Sequence, residues 1–306
     1  MGHRSAQRSD SYKAIAKLDT IFGIRKRNVN NYVKKINESV FLLVLVSKYE
    51  CIMLRNEVML LTSQVMREKM TAITLYTIRY SDKNTIVHLF TRESGRVAML
   101  LPQGMTAAAR RRNALFMPLS VLEIEAMRSP GSDIYRLKEV NALELGHEIH
   151  SDPMKNAIAL FVAELLGKVV IDREDSGELF DFASRAVSLL EYQRRGLGNF
   201  HICYMMKLAM FLGIYPDLGG YTEGYGFDMQ EAQFVRYDVS RPMVLNALAA
   251  REIYRMSRMS FANMHHFKYN RTQRGELLEL MLQYYRLHGA ISGELKSPDV
   301  LAQLFG

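Results

Sequence analysis

The stretch Thr71–Pro102, TAITLYTIRYSDKNTIVHLFTRESGRVAMLLP, decides the fold. Thr71–Tyr80 alternates, with Ile73 and Leu75 on one phase and Ile78 and Tyr80 on a shifted one. Thr85–Phe90 follows the turn signal Ser81-Asp82-Lys83-Asn84, and Gly95 opens GRVAMLLP just after Ser94. Short period-two runs between turn residues are the mark of strands. Two more, about Leu119–Met127 and Ile134–Val140, flank Ser129-Pro130-Gly131-Ser132. Five short strands placed so closely predict a small antiparallel barrel over residues 66–146 rather than a βαβ unit.

Beyond residue 147 the period changes to that of helices. Asp152-Pro153 reads as an N-cap followed by proline in the first turn, and Ala157, Leu160, Phe161, Leu165 and Val169 recur behind it. Further helices are expected over Ser176–Gln193, Phe200–Leu212, Pro242–Ser257 and Thr272–Leu287. Gly213 and Pro216 stop the second of these, and the Gly- and Tyr-rich residues 214–237 read as loop. The fold class is therefore α+β, a β-barrel followed by an all-helical domain over 147–306.

Upstream of the barrel, residues 1–65 contain no proline, the cluster Arg25-Lys26-Arg27 and an apolar run from Val40 to Val46. Seven apolar residues fall far short of the ~20 that span a bilayer, and the run lies too far in for a secretory signal. The segment is expected to be a basic N-terminal extension, with a start at Met66 or Met70 as its simplest explanation and a basic tail that adds affinity for nucleic acid as the other. No membrane association is expected.

The 306 residues carry 40 Lys and Arg against 32 Asp and Glu, a formal +8. Divided along the chain, residues 1–65 hold +6, the barrel segment +4 and the helical segment −2. A basic barrel points to a polyanion. Its most charged spot is Arg110-Arg111-Arg112, read as part of a loop between the third and fourth strands, where guanidinium groups suit bidentate contact with phosphate. Lys83, Arg92 and Arg96 extend this into a stripe if the turns converge, and Tyr76, Tyr80, Phe90 and Phe116 offer rings for unpaired bases. Against that stands the plainer reading: aromatics at strand spacing usually fill a core, and a short Arg run is often a solvated surface.

Catalytic constellations are absent from the sequence: no phosphate-binding P-loop, no G-x-S-x-G, no H-E-x-x-H and no dinucleotide fingerprint. His147, His150 and Asp152 are close enough to suggest a metal site, but a lone His pair is more often plain surface. Cys51 and Cys203, the two cysteines, exclude a disulfide framework and suit a reducing, cytoplasmic setting. Cys203 lies on an apolar helical face and reads as packing. HHFKYNRTQR (His265–Arg274) either binds an anionic partner or caps the last helix through Thr272.

Taken together these residues resemble the RecO family of recombination mediators. KMTAITLYTIRYSDKNTIVHLFTRESGRVAMLLPQG (Lys69–Gly104) is similar to that family's opening. FMPLSVLEIE (Phe116–Glu125), DPMKNAIALFVAELL (Asp152–Leu166), KLAMFLGIYPDL (Lys207–Leu218), MHHFKYNRTQR (Met264–Arg274) and QYYRLH (Gln283–His288) follow in colinear order. The resemblance implies an N-terminal OB-fold and a helical C-terminal domain in a bacterial, nucleoid-associated DNA repair protein. It implies a protein that is not an enzyme, binds single- and double-stranded DNA, promotes annealing and acts with RecR to load RecA onto DNA coated by single-strand-binding protein. For the acidic tail of that coating protein, Lys268, Arg271 and Arg274 are the candidate contacts. Many members carry a four-cysteine zinc module after the segment matching Gly213–Leu218; here GGYTEGYGFDMQEAQF follows without a cysteine, so no zinc cofactor is expected. The alternative, set aside from the likeness, is a generic OB-fold adaptor acting on RNA or in transcription.

Overall fold

A computed structural model describes residues 66–129, 131–144, 146–170 and 177–304. The expected N-terminal extension, residues 1–65, lies outside the described residues. Five strands follow the predicted order: β1 (Met66–Arg79), β2 (Asn84–Thr91), β3 (Gly95–Pro102), β4 (Val121–Arg128) and β5 (Ile134–Glu144). They close into a barrel in the order β1-β2-β3-β5-β4. All pairings are antiparallel except the short parallel contact of β3 with β5.

β1 can serve two neighbours because it is long and bulged. Ile73 lies opposite both Phe90 and Val121, and the register with β2 slips between Thr74 and Tyr76. The extra residue, Leu75, is what shifts the apolar phase seen in the sequence. Met70, Ala72, Val87, Leu89, Val97, Met99, Leu101, Leu122 and Ile124 fill the barrel. Ile73, Leu75, Phe90, Leu119 and Val121 instead belong to the core of the helical domain, so one half of the barrel's outer wall is interior. Leu119 reaches it from a left-handed backbone conformation, φ 63°. That conformation costs about 1–2 kcal/mol in a non-glycine residue. It is held by reciprocal backbone bonds, Leu119 N–H to the Thr74 carbonyl at 2.8 Å and Thr74 N–H to the Ser120 carbonyl at 3.0 Å.

The second domain contains α2 (His147–Ser151), α3 (Pro153–Val169), α4 (Gly177–Tyr192), α5 (Phe200–Phe211), α6 (Ala247–Ser257), α7 (Arg271–Leu287) and α8 (Ser297–Leu304); α1 (Ala107–Ala114) belongs to the barrel. This domain is mostly, not wholly, helical. The expected loop at 214–237 holds β6 (Gly226–Asp228) and β7 (Gln233–Val235), which pair with each other, and β6 also pairs with β8 (Val244–Leu245). Because β8 claims the residues after Pro242, α6 begins only after Asn246, whose side chain accepts the Ala249 N–H. The last long helix is capped by Asn270 in a reciprocal box with Gln273, not by Thr272.

α3 packs across β1 with no space to spare. A Cβ on Gly167 would stand 2.8 Å from the Tyr76 ring, so only glycine allows this approach. Around it, Phe90 meets Phe180 of α4 edge-on at 5.4 Å. Within the helical domain, α2, α3 and α4 are joined by a buried lysine. Lys155 Nζ donates to the Glu191 carbonyl at 2.5 Å and lies 3.7 Å from the Glu148 carboxylate. The Glu191 carboxylate in turn accepts the N–H groups of Glu148 and Ile149, closing the open end of α2.

Candidate nucleic-acid interface

Arg110-Arg111-Arg112 are on a helix, a correction to the loop expected for them. Thr106 caps α1 by accepting the Ala109 N–H, and Arg111 and Arg112 sit in its last turn, where cations suit the helix dipole. The segment's alanines and arginines are good helix formers, so the signal is present in the sequence. α1 buries no side chain of its own. It is fastened to the barrel by polar bonds: Arg112 Nη2 donates to the Pro102 carbonyl at 2.8 Å, Asn113 to Gln103, Gln103 to the Thr85 hydroxyl, and Gln103 N–H to the Lys83 carbonyl. A Cβ on Gly104 would lie 2.7 Å from the Ala109 Cβ, so small residues are needed where the helix folds back. Arg110 and Arg111 are exposed and Arg112 is half-buried.

Lys83 joins this group; Arg92 and Arg96 do not. Lys83 is in the β1–β2 turn, whereas Arg92 and Arg96 flank the β2–β3 turn at the other end of β2, roughly 30 Å of strand away. Arg92 Nη2 binds the Asp181 carboxylate of α4 at 2.9 Å, and Arg96 Nη1 donates to the Gly167 carbonyl at 2.9 Å. Both therefore fasten the helical domain, and the single stripe expected from the sequence is divided in two.

The rings divide likewise. Phe90 and Phe116 are core residues with no face to offer. Tyr76 is half-buried, stacked on His88 at 4.5 Å between ring centres. Burial and then the Arg96 charge lower the pKa of His88. Tyr80 is the exposed member, 65 % accessible, beside the Lys83 turn.

The three cations expected to meet an acidic tail also separate. Arg271 Nη2 donates to the Ala302 carbonyl of α8 at 2.6 Å, and Arg274 Nη1 to the Tyr269 carbonyl at 2.6 Å. Arg274 is directed inward: burial lowers its pKa, and its charge adds to the burial that takes His201 down to about 3. Lys268 remains exposed.

His147, His150 and Asp152 do not assemble a metal site. Asp152 caps α3, accepting the N–H groups of Met154 and Lys155, and no group of three His, Cys, Asp or Glu residues suited to a metal ion occurs among the described residues. The segment after Leu218, where the family likeness raised the question of zinc, is organised by rings instead. Tyr221 stacks on Tyr254 at 3.9 Å, and Phe234 meets both Tyr221 and Phe227 edge-on. Asp228 is bound to Arg241 and accepts the N–H groups of Gln230 and Glu231. Cys203 is buried, and burial pushes its thiol up to about 12, which suits packing and not reactivity. No helix among the described residues is long and apolar enough to cross a membrane.

A closed five-stranded barrel with an exposed basic helix at one end, sealed at the other by a helical domain, defines the class: OB-fold proteins with an appended helical domain. The comparisons make the class specific. The family model described as recombination protein O N terminal matches residues 66–145, and recombination protein O C terminal matches residues 150–298. A protein of Phocaeicola vulgatus named DNA repair protein RecO is 36% identical over 240 residues, covering 78% of this chain and all of that protein. Proteins of the same name from Bacteroides fragilis, over 78% of this chain and all of that protein, and from Porphyromonas gingivalis, over 76% and 97%, are each 35% identical. The chain belongs to the RecO family of DNA repair proteins.

Proposed function

We propose that this protein is a non-enzymatic recombination mediator that holds single- and double-stranded DNA on its barrel and promotes annealing of complementary strands. With RecR it helps RecA replace single-strand-binding protein on DNA. The observation that carries the reading is α1: Arg110 and Arg111 are exposed, Arg112 is tied to Pro102, and Lys83 stands alongside. Such a surface grips phosphate without reading sequence, which is what a mediator requires. Annealing requires no bond chemistry, only charge neutralisation and contacts weak enough to exchange. No zinc cofactor is part of this reading, because residues 219–234 contain no cysteine. Lys268 is the remaining candidate contact for the acidic tail of single-strand-binding protein.

The direct experiment measures annealing of complementary oligonucleotides coated with cognate single-strand-binding protein, with and without this chain. The expected result is acceleration that weakens as salt rises. No acceleration at any salt concentration contradicts the mediator reading. A protein that binds RNA strongly while ignoring coated DNA would favour the adaptor role.

A further inference from the structure

We infer that the open edge of β5 pairs with itself: two copies of this chain join there across a two-fold axis through Asn141, as one continuous sheet. The pairing does not depend on the DNA-binding reading above; only its use for annealing does.

β5 runs on after its second neighbour has ended. β3 pairs with Ile134, Tyr135 and Arg136 alone, whereas β4 follows β5 as far as Glu144. From Leu137 to Glu144 the side turned away from β4 therefore meets no other strand among the described residues. Exposure agrees. Lys138, Glu139, Asn141, Ala142 and Leu143 are all exposed, and Ala142 is so although it lies opposite the fully buried Leu122. An edge of this length presents N–H and C=O groups ready to pair with another strand.

Two bulges decide which strand fits. Lys138 is the extra residue between the partners of Glu125 and Ala126, and Leu143 the extra one between those of Val121 and Leu122. Lys138 donates to Glu125 at 3.0 Å, which places it on the same face as Glu139. A regular strand laid along this edge would lose register twice. A second copy, turned about Asn141, lays Lys138 and Glu139 opposite Glu144 and Leu143, so each bulge meets the other and the register is kept.

Charge agrees with this register. Lys138 falls opposite Glu144 once on each side of the axis, Glu139 opposite Leu143, and Val140 opposite Ala142. Asn141 meets its own equivalent, and an amide can both donate and accept. No carboxylate stands opposite another, the arrangement a sheet avoids. Lys138 is already bound to Glu125, but an ammonium has three protons to give. The Glu144 carboxylate accepts the Ser188 hydroxyl of α4 at 2.7 Å and has a second oxygen to offer. Leu143, 59 % exposed, and Tyr192, 75 % exposed one turn beyond Ser188, add apolar surface beside the edge. Each copy brings its own α1, so the pair carries two basic helices, one for each strand to be annealed.

The experiment is sedimentation velocity of the full chain without DNA, over a range of protein concentrations. The parent is expected to show a monomer–dimer equilibrium. Lys138→Glu sets a carboxylate against Glu144, and Glu144→Lys sets an ammonium against Lys138. Each variant alone should associate at least about tenfold more weakly. Mixing the two should restore association, because each copy then meets the opposite charge at both contacts. Melting curves check that both variants fold, and Glu144→Lys keeps the Lys138–Glu125 pair. A parent that stays monomeric throughout would overturn the pairing and leave the edge to a strand of another protein. Association unchanged in either variant, or not restored on mixing, would overturn it as well. Dimers that form as expected in a chain that binds no DNA would uphold the pairing and defeat only the mediator reading.

Discussion

The two ends of β2 face different surroundings although each half of the strand carries two apolar and two polar residues. At its C-terminal end Phe90 meets Phe180, and Arg92 and Arg96 are held by Asp181 and Gly167. At its N-terminal end Thr85 binds Gln103, Ile86 is partly open, and Lys83 lies beside a helix that buries none of its own side chains. One end is structural and its cations are spent; the other is exposed and its cations are available. The same residue type, arginine, therefore has opposite duties at the two ends, and neighbouring groups decide which.

Separating the two ends by mutation should separate stability from binding. The largest effect is expected at the lysine buried among α2, α3 and α4. Lys155→Ala leaves the Glu148 carboxylate and the Glu191 carbonyl without their buried amine and should lower unfolding free energy by about 3–5 kcal/mol. Chemical denaturation measures this, and DNA affinity per folded molecule should not change. The pH response of the sealed side comes next. Burial, then Arg274, lowers the His201 pKa from 6.5 to about 3. Its contribution is complete above the unfolded value of 6.5 and is lost as pH falls toward 3, by up to about 1.4 kcal/mol per pH unit. Unfolding measured between pH 6.5 and 5, above most carboxylate titrations, should show this slope in the parent and a shallower one in His201→Gln, where His88 still contributes.

Smaller effects distinguish close packing from open surface. Gly167→Ala forces a methyl group into the Tyr76 ring and should cost about 1–3 kcal/mol. Gly275→Ala, inside α7 with nothing within 4 Å of the new methyl, should instead stabilise by about 0.5–1 kcal/mol. Thermal melting of the two variants side by side gives the sign of each.

Much of this arrangement is legible in the amino-acid sequence. The phase shift after Leu75 is the bulge that lets β1 pair on both sides, and Asp152-Pro153 does cap α3. Basic residues are visible there, but their availability is not. Whether Arg92, Arg96, Arg271 or Arg274 is free depends on carbonyls and carboxylates that are mostly tens of residues away, and local sequence carries no trace of those partners. The small sheet β7-β6-β8 leaves no signal because its strands are two or three residues long, too short for any period to register. The helical character of α1 is readable from Thr106 and its alanines, although Gly104 and three adjacent arginines equally suit a solvated loop.

The assignment of DNA binding to the exposed end of the barrel is tested most directly by the salt dependence of DNA affinity in Arg110→Ala, Arg111→Ala, Arg112→Ala combined, against the parent. Each phosphate contact removed should reduce the slope of log affinity against log salt by about 1. The triple variant is expected to bind single strands and duplex more weakly and to show a slope flatter by about 2–3. A parental slope in a folded triple variant would contradict the assignment and move the DNA site off α1.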